Sequence, residues 1–191
     1  MTRLIILGDE LVSASGDERG LGWVGRAVAR TEFSSPTHVI TLSVPGETTT
    51  GLAERWLREV QLRLPSDDEP VYAAVGMGIH DIAAGISPAR TRLNLANVLD
   101  GLIKLNIPTL LVGPPPLPGA DSASVRALAK IGKEVAQRRN VPWVNTFDPL
   151  VDHEQWRAEF QSQEAILPTQ TCYGLLAWLV LHEGWYEWLA R

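Results

Sequence analysis

Leu4-Ile5-Ile6-Leu7-Gly8-Asp9-Glu10-Leu11 opens the chain with four apolar residues, a glycine and two acids. A short apolar run closed by glycine reads as a buried strand ending in a tight turn. Three similar runs come later at Val39–Val44, Val71–Val75 and Thr109–Val112, and Val141–Val144 is a weaker fifth. Three of these runs lead into marked loops: Pro45-Gly46-Glu47-Thr48, Gly78-Ile79-His80-Asp81 and Gly113-Pro114-Pro115-Pro116.

The intervening segments carry helical spacing. Leu52, Trp56, Val60 and Leu64 recur every fourth residue until Pro65 stops the pattern. Ser87-Pro88 reads as an N-cap with proline at the first helical position. From there Leu93, Val98, Leu102 and Leu105 are expected to line one face. Val125, Leu128, Ile131 and Val135 form a third stripe, and a last helix is expected from about Thr171 to Leu189. Strand and helix alternate five times, which implies an α/β fold with a five-stranded parallel sheet covered by helices on both faces. Ligands in such folds sit beyond the C-terminal strand ends, where the loops above fall.

The 191 residues are the size of one α/β domain, and no linker, repeat or low-complexity tract divides them, so residues 1–191 are read as a single domain. Apolar residues at 45% and charged residues at 20% place the chain among ordinary globular proteins. A net charge of -5 gives no basis for binding nucleic acid or an anionic membrane. No apolar run reaches the about 18–20 residues of a membrane helix. No basic segment precedes a long apolar stretch at the N-terminus, so a cytoplasmic location is the default expectation. Cys172 is the lone cysteine and can form no intrachain disulfide.

The strand and turn at Leu4–Glu10 resemble the opening of the SGNH/GDSL hydrolases, and three further stretches match that family's blocks in order. In the family the first block is Gly-Asp-Ser, with serine as nucleophile; here it is Gly8-Asp9-Glu10. The sequence Gly20-Leu21-Gly22-Trp23-Val24-Gly25 is similar to the segment after that block in many bacterial members. The second block supplies a glycine N–H to the oxyanion hole, matched by Gly46. The third is Gly-x-Asn-Asp, here Gly78-Ile79-His80-Asp81, with His80 for the asparagine donor. The fourth supplies an orienting Asp and the His base ahead of proline, here Glu164-Ala165-Ile166-Leu167-Pro168, with Leu167 for the base. The resemblance implies a three-layer, flavodoxin-like fold and an ancestry among enzymes that cleave esters, thioesters or acetyl groups.

Acyl transfer by this route needs a hydroxyl nucleophile, a base and donors facing the developing oxyanion. Leucine moves no protons, and a carboxylate at position 10 opposes a second developing negative charge. The leading expectation is therefore an inactive protein kept for binding or as a scaffold, with an unidentified small molecule in the old cleft. In the geometry that the resemblance implies, Glu10 would accept the hydrogen bonds meant for an oxyanion, from Gly46 N–H and from His80. Asp9 and Asp81 are expected to bond backbone at strand ends.

Two other readings use the same residues. In one, Glu10 and His80 run an altered ester hydrolysis as base and acid, with Glu164 raising the Glu10 pKa if the two are close. In the other, Asp9, Glu10, His80, Asp81 and Glu164 supply ligands suited to Mn, Fe or Zn. No HExxH or paired-cysteine spacing is present, and neighbours Asp9 and Glu10 are expected to diverge, so neither metal nor cofactor is assigned. Ser13, Ser15 and Thr48–Thr50 read as turn and cap residues, and Cys172 as a buried thiol.

Tryptophan is the remaining oddity, with 7 against 3 Phe and 3 Tyr. Trp185, Tyr186 and Trp188 cannot all point inward on one helix. Either the C-terminal aromatics include a self-association surface, or Trp185 and Trp188 pack on the sheet with Tyr186 at its rim.

Overall fold

The computed structural model describes residues 1–66, 68–162 and 166–191. In chain order, β1 (Thr2–Gly8) is followed by α1 (Gly22–Val28), β2 (Thr37–Ser43), α2 (Thr49–Gln61) and β3 (Val71–Gly76). Then come α3 (His80–Ala83), α4 (Pro88–Lys104), β4 (Thr109–Val112), α5 (Ser122–Gln137) and β5 (Trp143–Val144). The chain closes with α6 (Phe147–Val151), α7 (Glu154–Ser162), α8 (Gln170–Val180), a π-helical turn (Leu181–Trp185) and α9 (Tyr186–Leu189). The sheet is parallel throughout, in the order β2-β1-β3-β4-β5.

Alternate residues of each strand face opposite layers, as the two-residue period requires. Leu4, Ile6, Ala74, Leu110 and Val112 pack with Trp23 and Val24 of α1, Trp156 of α7 and Tyr173 and Leu176 of α8. Ile5, Leu7, Ala73, Val75 and Leu111 face Trp56 of α2, Leu99 of α4 and Leu128 of α5. Helices cover both faces, so β1, β3 and β4 carry continuous apolar runs, while the edge strand β2 is only partly buried. No helix among the described residues is long and apolar enough to cross a membrane.

Several boundaries differ from the sequence expectation for local reasons. β5 is two residues long, because Pro142 has no N–H to offer the ladder although its carbonyl still accepts from Leu111. On α4 the buried stripe is Thr91, Leu95, Val98 and Leu102, while Leu93, expected on the core face, is 50% exposed. The C-terminal helix spans Gln170 to Leu189 much as expected, but its π turn inserts an extra residue and changes which side chains face inward. Gly184 lies there against the sheet, and a Cβ on it would stand 2.9 Å from Leu110 Cδ1. Trp185 and Trp188 are fully buried with their rings 5.1 Å apart, whereas Trp178 and Tyr186 remain on the surface.

Candidate functional site

β1 ends where it passes close to β3: a Cβ on Gly8 would lie 2.8 Å from the Gly76 carbonyl oxygen. The chain then turns, and the turn is held by Asp9. Its Oδ1 accepts from Leu11 N–H at 3.0 Å, and its own carbonyl accepts from Ser43 Oγ at 2.8 Å. Asp9 is 2% exposed, and its Oδ2 has no hydrogen-bond partner among the described residues. That oxygen points toward the strand end of β3, where Gly78 leaves room for it.

Glu10 comes next and bridges three elements. Its Oε2 accepts from Gly46 N–H at 2.8 Å, and its Oε1 lies 2.9 Å from His80 Nε2. Gly46 has φ +72°, a left-handed conformation that turns its N–H toward Glu10, and a Cβ there would meet open space. Glycine is thus present for its backbone and not for want of room. His80 begins α3, directly after the β3 loop, and its Nε2 also approaches Asp9 Oδ2 at 3.5 Å. The two carboxylates do not diverge as expected for neighbours. The Asp9 turn ends strand alternation, so both reach the same imidazole nitrogen. One ligand-type atom from each of Asp9, Glu10 and His80 lies within 4.8 Å of the others.

These contacts separate the three protonation equilibria. Burial pushes the Asp9 carboxyl above its ordinary range, against the nearby imidazole and the Leu11 N–H. Burial also acts to raise Glu10, but the Gly46 N–H and the His80 charge outweigh it and hold that carboxyl low. The Asp9 carboxylate, and after it Glu10, raise the His80 imidazole to about 9 against the cost of its burial. At neutral pH the arrangement is an imidazolium donating toward Glu10, with Asp9 behind it.

Asp81 belongs to the scaffold. It is buried and turned away from His80, accepting from Thr49 N–H and Thr49 Oγ1 at 2.7 Å each and from Thr91 Oγ1. It thereby pins α2 and α4 to the start of α3. Leu167, half-buried, and the carbonyl of Pro168 stand against Gly16 in the loop after β1. Glu164 lies outside the described residues. Thr48 caps α2 through Gly51 N–H, and Ser13 Oγ donates to the Glu10 carbonyl. Burial pushes the Cys172 thiol up to about 11.

Two supports escaped the sequence reading. Glu47, beside Gly46, forms a two-pronged pair with Arg55, which also donates to the Leu42 carbonyl at 2.8 Å and so braces the loop against β2. Their eight-residue spacing across a helix start matches no local pairing pattern. Asp17 accepts from the N–H groups of Arg19, Leu21 and Gly22 and pairs with Arg26, closing the loop beyond Glu10. The cavity that Asp9 borders, with Thr48, Met77 and Leu95, is about 20 Å³, too small for an acyl chain. Larger hollows include one of about 350 Å³ that runs past Asp81 between α3, α4 and α5, and one of about 240 Å³ between the loop after β4 and α7.

Residues 6–175 match the model of the GDSL-like lipase/acylhydrolase family. Among solved structures, the chain is similar to a lipase/acylhydrolase from Enterococcus faecalis, at 21% identity and TM-score 0.76 over 96% of this chain and 95% of that one. It is similar to the psychrotrophic esterase EstA from a Pseudoalteromonas species, at 19% identity and TM-score 0.74 over 99% of both chains. It is also similar to Axe2, an acetylxylan esterase from Geobacillus stearothermophilus, at 16% identity and TM-score 0.76 over 97% of this chain and 95% of that one. At these identities the likeness is one of fold. A search of curated proteins gives no match.

Proposed function

The chain belongs to the GDSL-like lipase/acylhydrolase family, and we propose that it has exchanged acyl transfer for binding at the same cleft. One observation carries the reading: the Glu10 carboxylate sits on Gly46 N–H and His80, the donors that an oxyanion would need. A substrate carbonyl placed there would develop its negative charge against a charge already present. Leucine at position 167 offers no proton acceptor in the place that the family resemblance gives to the base.

The altered-hydrolase reading fits the electrostatics less well. A general base works best with a pKa near the working pH, and Glu10 is held below the ordinary carboxylate range. His80, at about 9, is paired with the residue it would have to act alongside. Supporting the binding reading instead, Glu10 and His80 are held in fixed positions by one another and by Gly46, which suits a preorganised recognition site.

The test is hydrolysis of short-chain aryl esters by the purified protein beside Glu10→Ala. Equal rates for both proteins and buffer are expected. Turnover above buffer that disappears in Glu10→Ala would overturn the proposal and make Glu10 a chemical participant. A Glu10→Ser, Leu167→His double variant that gained turnover would further support loss of acyl transfer at these two positions.

A further inference from the structure

We infer that Asp9, Glu10 and His80 form a binding site for a divalent first-row transition ion such as Zn²⁺; this rests on the reading that the cleft binds and does not cleave. The donor atoms are Asp9 Oδ2, Glu10 Oε1 and His80 Nε2, the imidazolium releasing its Nε2 proton to solvent as the ion binds. His80 Nε2 lies 2.9 Å from the glutamate oxygen and 3.5 Å from the aspartate oxygen. An ion with bonds of about 2.0–2.2 Å to nitrogen and oxygen holds its ligands about 3–3.5 Å apart; both separations from His80 Nε2 match that spacing, and all three donor atoms lie within 4.8 Å of one another.

An independent observation points to a cation. Asp9 Oδ2 is an acceptor in a side chain 2% exposed to solvent, has no hydrogen-bond partner among the described residues, and faces His80 Nε2 at 3.5 Å. At 3.5 Å the imidazolium offsets that oxygen's charge without a well-formed hydrogen bond, and a coordinated cation would supply both charge and a direct bond. The second oxygen of each acid is already held by backbone, Asp9 Oδ1 by Leu11 N–H and Glu10 Oε2 by Gly46 N–H. Such outer contacts orient both carboxylates to bind through one oxygen each.

The donor set narrows the ion. One imidazole with two carboxylates suits Zn²⁺, Mn²⁺ or Fe²⁺, whereas Mg²⁺ and Ca²⁺ take oxygen ligands alone. Three protein ligands leave a coordination position free, as in open sites. The side chains of His80 and Glu10 are 27% and 15% exposed, so that position faces solvent and admits water or a small anionic ligand.

The experiment is calorimetric titration of the EDTA-treated, dialysed protein with ZnCl2 and with MnCl2, using MgCl2 for comparison. One Zn²⁺ per chain is expected, bound at least tenfold more tightly than Mg²⁺. His80→Ala and Glu10→Gln, both at partly exposed positions and checked for native circular dichroism, should each weaken Zn²⁺ at least tenfold. His182→Ala, remote from the cleft, should bind as the wild type does. Absence of Zn²⁺ binding, or unchanged affinity in both cleft variants, would overturn the site. Ester hydrolysis is assayed on the same samples. Turnover by the metal-free protein would overturn the proposed function and leave the ion site standing. Silent protein that also binds no Zn²⁺ would overturn the ion site alone.

Discussion

The Asp9 carboxylate fills the space where residue 78 would carry a β-carbon: a Cβ built on Gly78 would lie 1.7 Å from Asp9 Oδ2. An alanine there has to expel a buried carboxylate from its cradle or shift the strand end. Gly78→Ala is expected to destabilise the fold by about 1–3 kcal/mol, as overpacking at a buried site does. Gly174→Ala on α8 meets nothing within 4 Å and should be neutral or stabilising by about 0.5–1 kcal/mol. Urea denaturation of the two variants checks the contrast, and equal stabilities would refute the packing argument.

His80 should titrate far from an ordinary histidine. In metal-free protein, the NMR shifts of its ring are expected to move with a midpoint of about 9. The folded pKa is raised, so the stabilisation is full below the ordinary value near 6.5 and fades as pH rises through 9. Glu10→Gln should lower the midpoint and leave it above 6.5, because Asp9 remains. A wild-type midpoint at or below 6.5 would mean that neither acid faces the ring in solution.

The Asp17–Arg26 pair should govern behaviour in acid. Four donors, one of them the guanidinium, hold the Asp17 carboxyl at about 2 although its burial acts to raise it. With the folded pKa depressed, the stabilisation is present above the ordinary value of 3.8 and is lost as pH falls through 2. The shift corresponds to about 2 kcal/mol at neutral pH. Urea midpoints measured from about pH 5 down to about pH 2 should fall more steeply for wild type than for Asp17→Asn. Parallel profiles would remove Asp17 from the account.

Asp81→Ala should cost more than its exposure alone would suggest. It strips partners from the Thr49 N–H and from the hydroxyls of Thr49 and Thr91, of which Thr91 is 1% exposed. A loss of about 2–4 kcal/mol is expected from buried donors left without acceptors. Asp81→Asn, which keeps an acceptor oxygen, should recover part of it in the same denaturation experiment.

What the chain shows before folding depends on whether a feature is local. The apolar runs of β1, β3 and β4 are buried on both sides and could belong to little else, so their positions were legible. α7 was not, because Glu154, Gln155 and Arg157 surround Trp156, which is buried by core residues distant in sequence while its indole N–H donates to the Pro116 carbonyl at 2.9 Å. The π turn was also illegible, since it depends on Gly184 reaching Leu110 on the sheet, far away along the chain. At the site, the grouping of Glu10, Gly46 and His80 was legible through the family blocks. The inward turn of Asp9 was not, because neighbouring side chains in an extended segment would point apart and only the local turn brings both acids to one face.

The Glu10 carboxylate is attached to the protein whose donors it occupies. A tethered group acts as if present at an effective concentration of about millimolar or more, however dilute the solution. Free carboxylates and phosphonates therefore compete against a rival that never diffuses away, and the metal-free cleft should ignore them at concentrations that saturate an open oxyanion hole. In that sense the chain carries its own competitive inhibitor, installed by the identity of one residue and removable by changing it.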